Sequence, residues 1–182
     1  PAVRHLFTVG NLIGVQGDFY WNQAIGYTTP NFDGITGSVI VARGEQDNPG
    51  HLWAGNLIVA KGVLAGSLSV QRVDVDDGIN DPTLEDTVQL GASYNLGLAT
   101  LFGQYTHTRD RGLAVDSDIV SVGASVPLGP GTIQAQIATS KADGSAVSRK
   151  QTTTSAAYVY AFDSLTDFYV VAAGVGLVQG GC

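Results

Sequence analysis

The feature that most constrains this chain is the alternating length of its connections. Reading for two-residue apolar/polar periodicity and for turn residues together predicts ten strands, at 19–29, 34–44, 51–61, 63–73, 86–95, 98–108, 117–127, 131–141, 151–161 and 167–176. Turn-grade sequences follow every second one: "PNFDG" (30–34), "KG" (61–62), "NLG" (95–97), "LGPG" (128–131) and "FDSLT" (162–166). Between them lie the longer polar stretches "EQDNPG", "DVDDGINDPTLED", "RDRGLAVDS" and "KADGSAVSRKQ". One row of tight turns and one row of long loops define an all-β, antiparallel, up-and-down meander. Its strands match the roughly 9–11 residues that cross a bilayer at a tilt, rather than the ~5–6 usual in soluble sheets.

The polar half of the alternation narrows the reading. In "IQAQIAT" (133–139), Ile133, Ala135 and Ile137 face one way and Gln134 and Gln136 the other. Solvent-facing rows of soluble sheets are usually rich in charge. Here the candidate polar wall is Asn22, Ser67, Ser69, Gln71, Gln89, Ser93, Gln104, Thr106, Gln134 and Gln136, all uncharged. Such a row suits a hydrated interior, with the apolar row turned to lipid. A soluble or surface-exposed β-rich binding or structural domain with a Ser/Thr/Gln-rich face is the alternative. Phe19, Tyr20, Trp21, Tyr27, Tyr94, Tyr105, Tyr158, Tyr160, Phe162, Phe168 and Tyr169 gather near strand ends, as in an interfacial girdle, although aromatic pairing occurs in any sheet. "LWAGNLIVAK" reads in either parity.

Composition removes other classes. Only 14% of the 182 residues are charged, against about 25% in a typical soluble domain. A net charge of −7 with 9 Lys+Arg lacks the basic surface that nucleic acid requires. No apolar run reaches the ~20 residues of a spanning helix. The single thiol, Cys182, forms no internal pair. The opening "PAVRHLFTVG" has neither an initiator Met nor a secretory pattern, so the true N-terminus is expected upstream.

The stretch "WNQAIGYTTPNFDGITGSVIVARGE" (21–45) resembles the strand, Ser/Thr-Pro-Asn-Phe-x-Gly turn and strand of the general diffusion porins of Gram-negative outer membranes, of the β-proteobacterial kind. "LGASYNLGLATLFGQYTHTRD", "VSVGASVPLGPGTIQAQIATSK" and "TTTSAAYVYAFDSLTDFYVVAA" resemble the same family in the same order. The resemblance implies a passive, water-filled outer-membrane channel for ions and small hydrophilic solutes, a homotrimer among outer-membrane lipid and lipopolysaccharide, with no enzymatic activity and no cofactor. It implies residues 1–18 as the tail of a constriction loop and 19–182 as part of a barrel of sixteen strands lacking its first strands and its last. In porins, inward basic side chains orient permeating solutes, which makes Arg43, Lys61, Arg72 and Arg109 the selectivity candidates. By parity, Arg43 and Arg72 run with the outward row, where they would snorkel to the interface.

Two other constellations are weighed. His107 with Asp110 suggests the carboxylate–imidazole pair of a rim hydrolase, without a clear nucleophile, so a solvated rim histidine is preferred. Asp74, Asp76 and Glu85 fall at the first, third and twelfth places of a calcium loop, but Ile79 stands at the sixth, where Gly belongs. No metal ligands are assigned. The loop reads as acidic and solvated, exchanging divalent ions with anionic lipopolysaccharide.

Overall fold

The computed structural model describes residues 23–43, 50–75, 83–144, 147–162 and 166–179. They form one antiparallel sheet in sequence order: β1 (Ala24–Thr28), β2 (Ile35–Arg43), β3 (Gly50–Lys61), β4 (Leu64–Val75), β5 (Thr83–Asn95), β6 (Thr100–Asp110), β7 (Val115–Leu128), β8 (Gly131–Gly144), β9 (Val147–Ala161) and β10 (Asp167–Gln179). All ten expected strands are present, and each pairs with its sequence neighbours. Within the described residues the sheet is open, with β1 and β10 at its edges.

The tight turns follow from backbone chemistry. Glycines with positive φ among the described residues, Gly34, Gly62, Gly97 and Gly129, all lie in the tight-turn row. Asp33 (φ 49) and Gly34 (φ 88) are the two central residues of a hairpin closed by reciprocal Phe32 and Ile35 backbone hydrogen bonds of 2.9 and 3.0 Å. Positive φ at both central positions is the type I′ geometry, whose twist suits antiparallel strands. Asn31 Oδ1 accepts the Gly34 N–H at 2.7 Å, and Gly34 O accepts from Ala60 N–H at 2.8 Å, so the turn is tied to β3 as well.

At the other end the strands run further than expected. Most of "KADGSAVSRKQ" lies in β8 and β9, and "RDRGLAVDS" contracts to a turn at 111–114, where Asp110 Oδ1 accepts from the Leu113 N–H at 2.9 Å. Apolar alternation stops where the lipid-facing belt stops, but the backbone ladder needs no apolar side chains to continue. The polar sequence beyond the belt therefore stays in register.

Burial is inverted relative to a soluble sheet. Gln134 and Gln136 are 6% and 5% exposed, while Ile133 and Ile137 are 41% and 48% exposed. In a single layer, one face is more crowded than the other when the sheet curls toward it, so the sheet curls toward its polar face. Leu52, Ala42 and Val73 form a small buried apolar cluster on that same face, at the loop end of β2–β4.

Candidate functional site

Strand register fixes which side chains share the concave face, because residues paired across a ladder point the same way. One row across the sheet reads Ser38, Asn56, Ser69, Gln89, Thr106, Ile119, Ser140, Gln151. The next reads Ile58, Ser67, Gly91, Gln104, Ser121, Ala138, Thr153. On either side run Gln71, Thr87, Thr108, Ser117 and Ser93, Phe102, Gly123, Gln136, Ser155, and one further row carries Thr100, Ser125 and Gln134. Nine of the ten wall candidates thus share one face; Asn22 lies outside the described residues.

This wall is cross-linked by side chains. Ser38 Oγ donates to Asn56 Oδ1 at 2.8 Å, and the Thr87 and Thr108 hydroxyls meet at 3.1 Å. Gln89 Nε2 and Gln104 Nε2 each donate to Thr106 Oγ1 at 3.3 Å, and Gln151 Nε2 to Thr153 Oγ1 at 3.3 Å. Among the described residues, three buried polar atoms on this face have no partner: Gln71 Nε2, Gln134 Oε1 and Ser140 Oγ. Leaving such a group dry costs about 1–3 kcal/mol, a cost that a bridging water removes.

Sequence reading missed Ser38 and Asn56, because the strand bearing Asn56 reads in either parity. It also missed Gln151, Thr153 and Ser155, because "QTTTSA" carries polar residues on both faces. Charged side chains on the wall were missed altogether: Glu85 and Asp110 are paired across β5 and β6, and Arg149 stands on β9. Register with the polar rows is the signal that finds them.

The four selectivity candidates face the other way. Arg43, Lys61, Arg72 and Arg109 run in register with Trp53, Leu57, Leu68 and Tyr105, on the apolar face. Lys61 Nζ lies 2.5 Å from Asp33, Arg109 Nε 3.7 Å from Asp116, and Asp86 is held by both Arg72 Nε (2.5 Å) and Arg111 Nε (3.1 Å). They sit toward strand ends, the position from which long basic side chains snorkel to water. The expected outward parity of Arg43 and Arg72 therefore extends to all four.

His107 meets Asp118, not Asp110, at Nδ1–Oδ1 3.0 Å; Tyr105 Oη donates to the same carboxylate at 2.6 Å, and Asp110 is on the opposite face. Asp74 and Glu85, the first and twelfth places of the calcium pattern, point to opposite faces of the sheet, while Asp76, Asp77 and Asp81 lie outside the described residues. Of the aromatics, Tyr27, Tyr94, Tyr158, Tyr160 and Phe168 stand on the apolar face near the tight-turn ends, whereas Tyr169 is on the polar face. Phe19, Tyr20, Trp21, Cys182 and residues 1–18 lie outside the described residues.

A one-layer meander with an apolar convex face, an aromatic fringe and a wettable concave face defines a strand-built barrel wall of an outer membrane. A family model for Gram-negative porins matches residues 4–175. The chain belongs to the Gram-negative porin family. It is similar to the anion-selective porin from Comamonas acidovorans, with 27% identity, a TM-score of 0.75, and coverage of 88% of this chain and 55% of that one. OmpT of Vibrio cholerae shares the fold, as a loop L8 deletion mutant (13% identity, TM-score 0.74, 85% and 57% coverage) and in its in-vitro folded trimer form (13% identity, TM-score 0.69, 87% and 55%). No curated protein sequence matches significantly. The chain spans about half the length of the porins it resembles.

Proposed function

We propose that this chain forms part of a passive, water-filled channel for ions and small hydrophilic solutes, with the Ser/Thr/Gln face as its lumenal wall. The observation that carries the reading is the burial pattern of that wall, with Gln71 Nε2, Gln134 Oε1 and Ser140 Oγ enclosed yet without partners among the described residues. Water in a lumen satisfies them; a dry core leaves them unpaired. Ser67, Ser69, Gln71, Gln89, Ser93, Gln104, Thr106, Gln134 and Gln136 line the pore. Solute selection at this wall comes from Glu85, Asp110 and Arg149, the acidic pair and the guanidinium being separated along the curved face. Arg43, Lys61, Arg72 and Arg109 act at the membrane interface instead. No step involves a bond made or broken, and no cofactor takes part.

The working assembly is a homotrimer embedded in outer-membrane lipid and lipopolysaccharide, a reading supported by the trimer form of OmpT. Planar-bilayer recording of the full-length porin tests the function. Stepwise conductance is expected, and its absence from a folded, membrane-inserted barrel overturns the reading.

A further inference from the structure

The concave face of β10 departs from the rest of the wall. Through the ladder with β9, Tyr169 is paired with Val159, Val171 with Ala157, Ala173 with Ser155 and Val175 with Thr153. These β9 residues are paired in turn with Thr132, Gln134, Gln136 and Ala138 of β8, so all share the polar face. Four successive inward positions on β10 are therefore apolar, but for the Tyr169 hydroxyl, where β8 places two glutamines. The opposite face of the strand, with Phe168, Val170, Ala172 and Gly174, is apolar as well. A barrel strand needs one apolar face toward lipid, which accounts for the outer row and leaves the inner one to be explained.

This inner row is open: Tyr169, Val171 and Val175 are 56%, 41% and 59% exposed. With Ala157 and Val159 beside it, the row makes an apolar lane about 20 Å long, at ~3.3 Å per residue. Arg149 stands on the same face, four residues along β9 from Thr153, the partner of Val175, and so about 13 Å beyond the lane on the side of the longer connections. Gln151 lies between them, its Nε2 donating to Thr153 Oγ1 at 3.3 Å. Arg149 is exposed and has no ion-pair partner among the described residues. A guanidinium at the head of a water-exposed apolar lane matches, in charge and in polarity, an organic anion with a carboxylate at one end and an apolar body.

We propose that the concave face of β10 is a binding lane for amphiphilic monocarboxylates, which lie with the carboxylate toward Arg149 and the apolar body on Val175, Ala173, Val171 and Tyr169. The guanidinium offers the carboxylate paired N–H donors, and contact along the lane removes apolar surface of both solute and wall from water. The lane names a solute class for the channel proposed above and rests on that reading.

The test titrates the KCl conductance of the full-length porin in planar bilayers with hexanoate and with gluconate, six-carbon monocarboxylates that differ in their hydroxyl groups. Hexanoate is expected to block the current saturably and gluconate to leave it nearly unchanged. Val171→Thr/Val175→Thr, which keeps the β-branched shape, and Arg149→Gln each weaken the hexanoate block about ten-fold. Val170→Thr, on the lipid-facing side of the same strand, leaves the block unaltered. KCl steps from each variant show that it has folded and inserted. The unsubstituted porin gives a second measurement: with hexanoate on one side of the bilayer and gluconate on the other, the zero-current potential is expected to report hexanoate as the more permeant anion. Equal block or equal permeability for the two anions overturns the lane, as does a block unchanged in the valine variant or in Arg149→Gln, and in each case persisting KCl conductance leaves the channel reading standing. A folded, inserted porin without any conductance overturns both. The same negative result for hexanoate is expected if another segment of the chain covers the lane.

Discussion

At the residue scale, the inversion of burial makes neighbouring positions respond oppositely to the same substitution. Ile137 is on the apolar face and Gln136 on the polar one. Ile137→Arg in the full-length porin is expected to cost roughly 2–4 kcal/mol near the midplane and to reduce folded barrel in a heat-modifiability gel. Gln136→Arg is expected to assemble normally and to move the reversal potential toward anion preference; an unchanged reversal potential would contradict its place in the lumen. Gly34 illustrates a different constraint. Its φ of +88° disfavours any L side chain, and a Cβ there would sit 2.2 Å from the Ala60 carbonyl oxygen. Gly34→Ala is therefore expected to lower stability by about 1–3 kcal/mol, read as an earlier urea unfolding midpoint.

At the scale of elements, β6 and β7 show how a wall accommodates a glycine. Phe102 is paired with Gly123, and a Cβ on Gly123 would lie 2.4 Å from the Phe102 ring and 2.6 Å from the Ala135 carbonyl oxygen. The ring covers a strand position that has no side chain of its own, a device that holds register in a twisted sheet. Gly123→Val must displace both the ring and the neighbouring strand, and faster amide exchange along the β7–β8 ladder is the expected result. Phe102→Ala, which only uncovers the glycine, should perturb exchange less. The loop-side extensions of the same strands carry Arg72–Asp86–Arg111 and Arg109–Asp116 on the apolar face. Exposed pairs of this kind contribute about 1 kcal/mol or less, so they mark the water boundary of the belt more than they stabilise it.

At the scale of the molecule, the described charged side chains of the curved face separate into an acidic side at Glu85 and Asp110 and a basic side at Arg149. Under the channel reading, Glu85→Lys should shift the reversal potential of the full-length porin toward anions and Arg149→Glu toward cations. The corresponding change on the convex face, Arg72→Glu, should leave it unaltered. Equal effects from the two faces would mean that the sheet does not separate lumen from lipid.

The sequence by itself determined the strand count, the meander order and the two rows of connections, because these rest on local chemistry. "NFDG" encodes its own type I′ turn, and alternation such as "IQAQIAT" can satisfy only one two-sided sheet. It also determined the face of nine wall residues whose strands alternate cleanly. Tertiary structure alone decided the parity of "LWAGNLIVAK", where Leu52 and Ile58 join Asn56 on the polar face because β2 and β4 fix the register. It decided how far β8 and β9 run past the apolar belt, since ladder pairing depends on a partner backbone and not on hydropathy. It likewise decided that Asp118, eleven residues away, is the partner of His107 rather than the nearby Asp110. In a strand, residues three apart point to opposite faces, whereas cross-strand neighbours far apart in sequence share one.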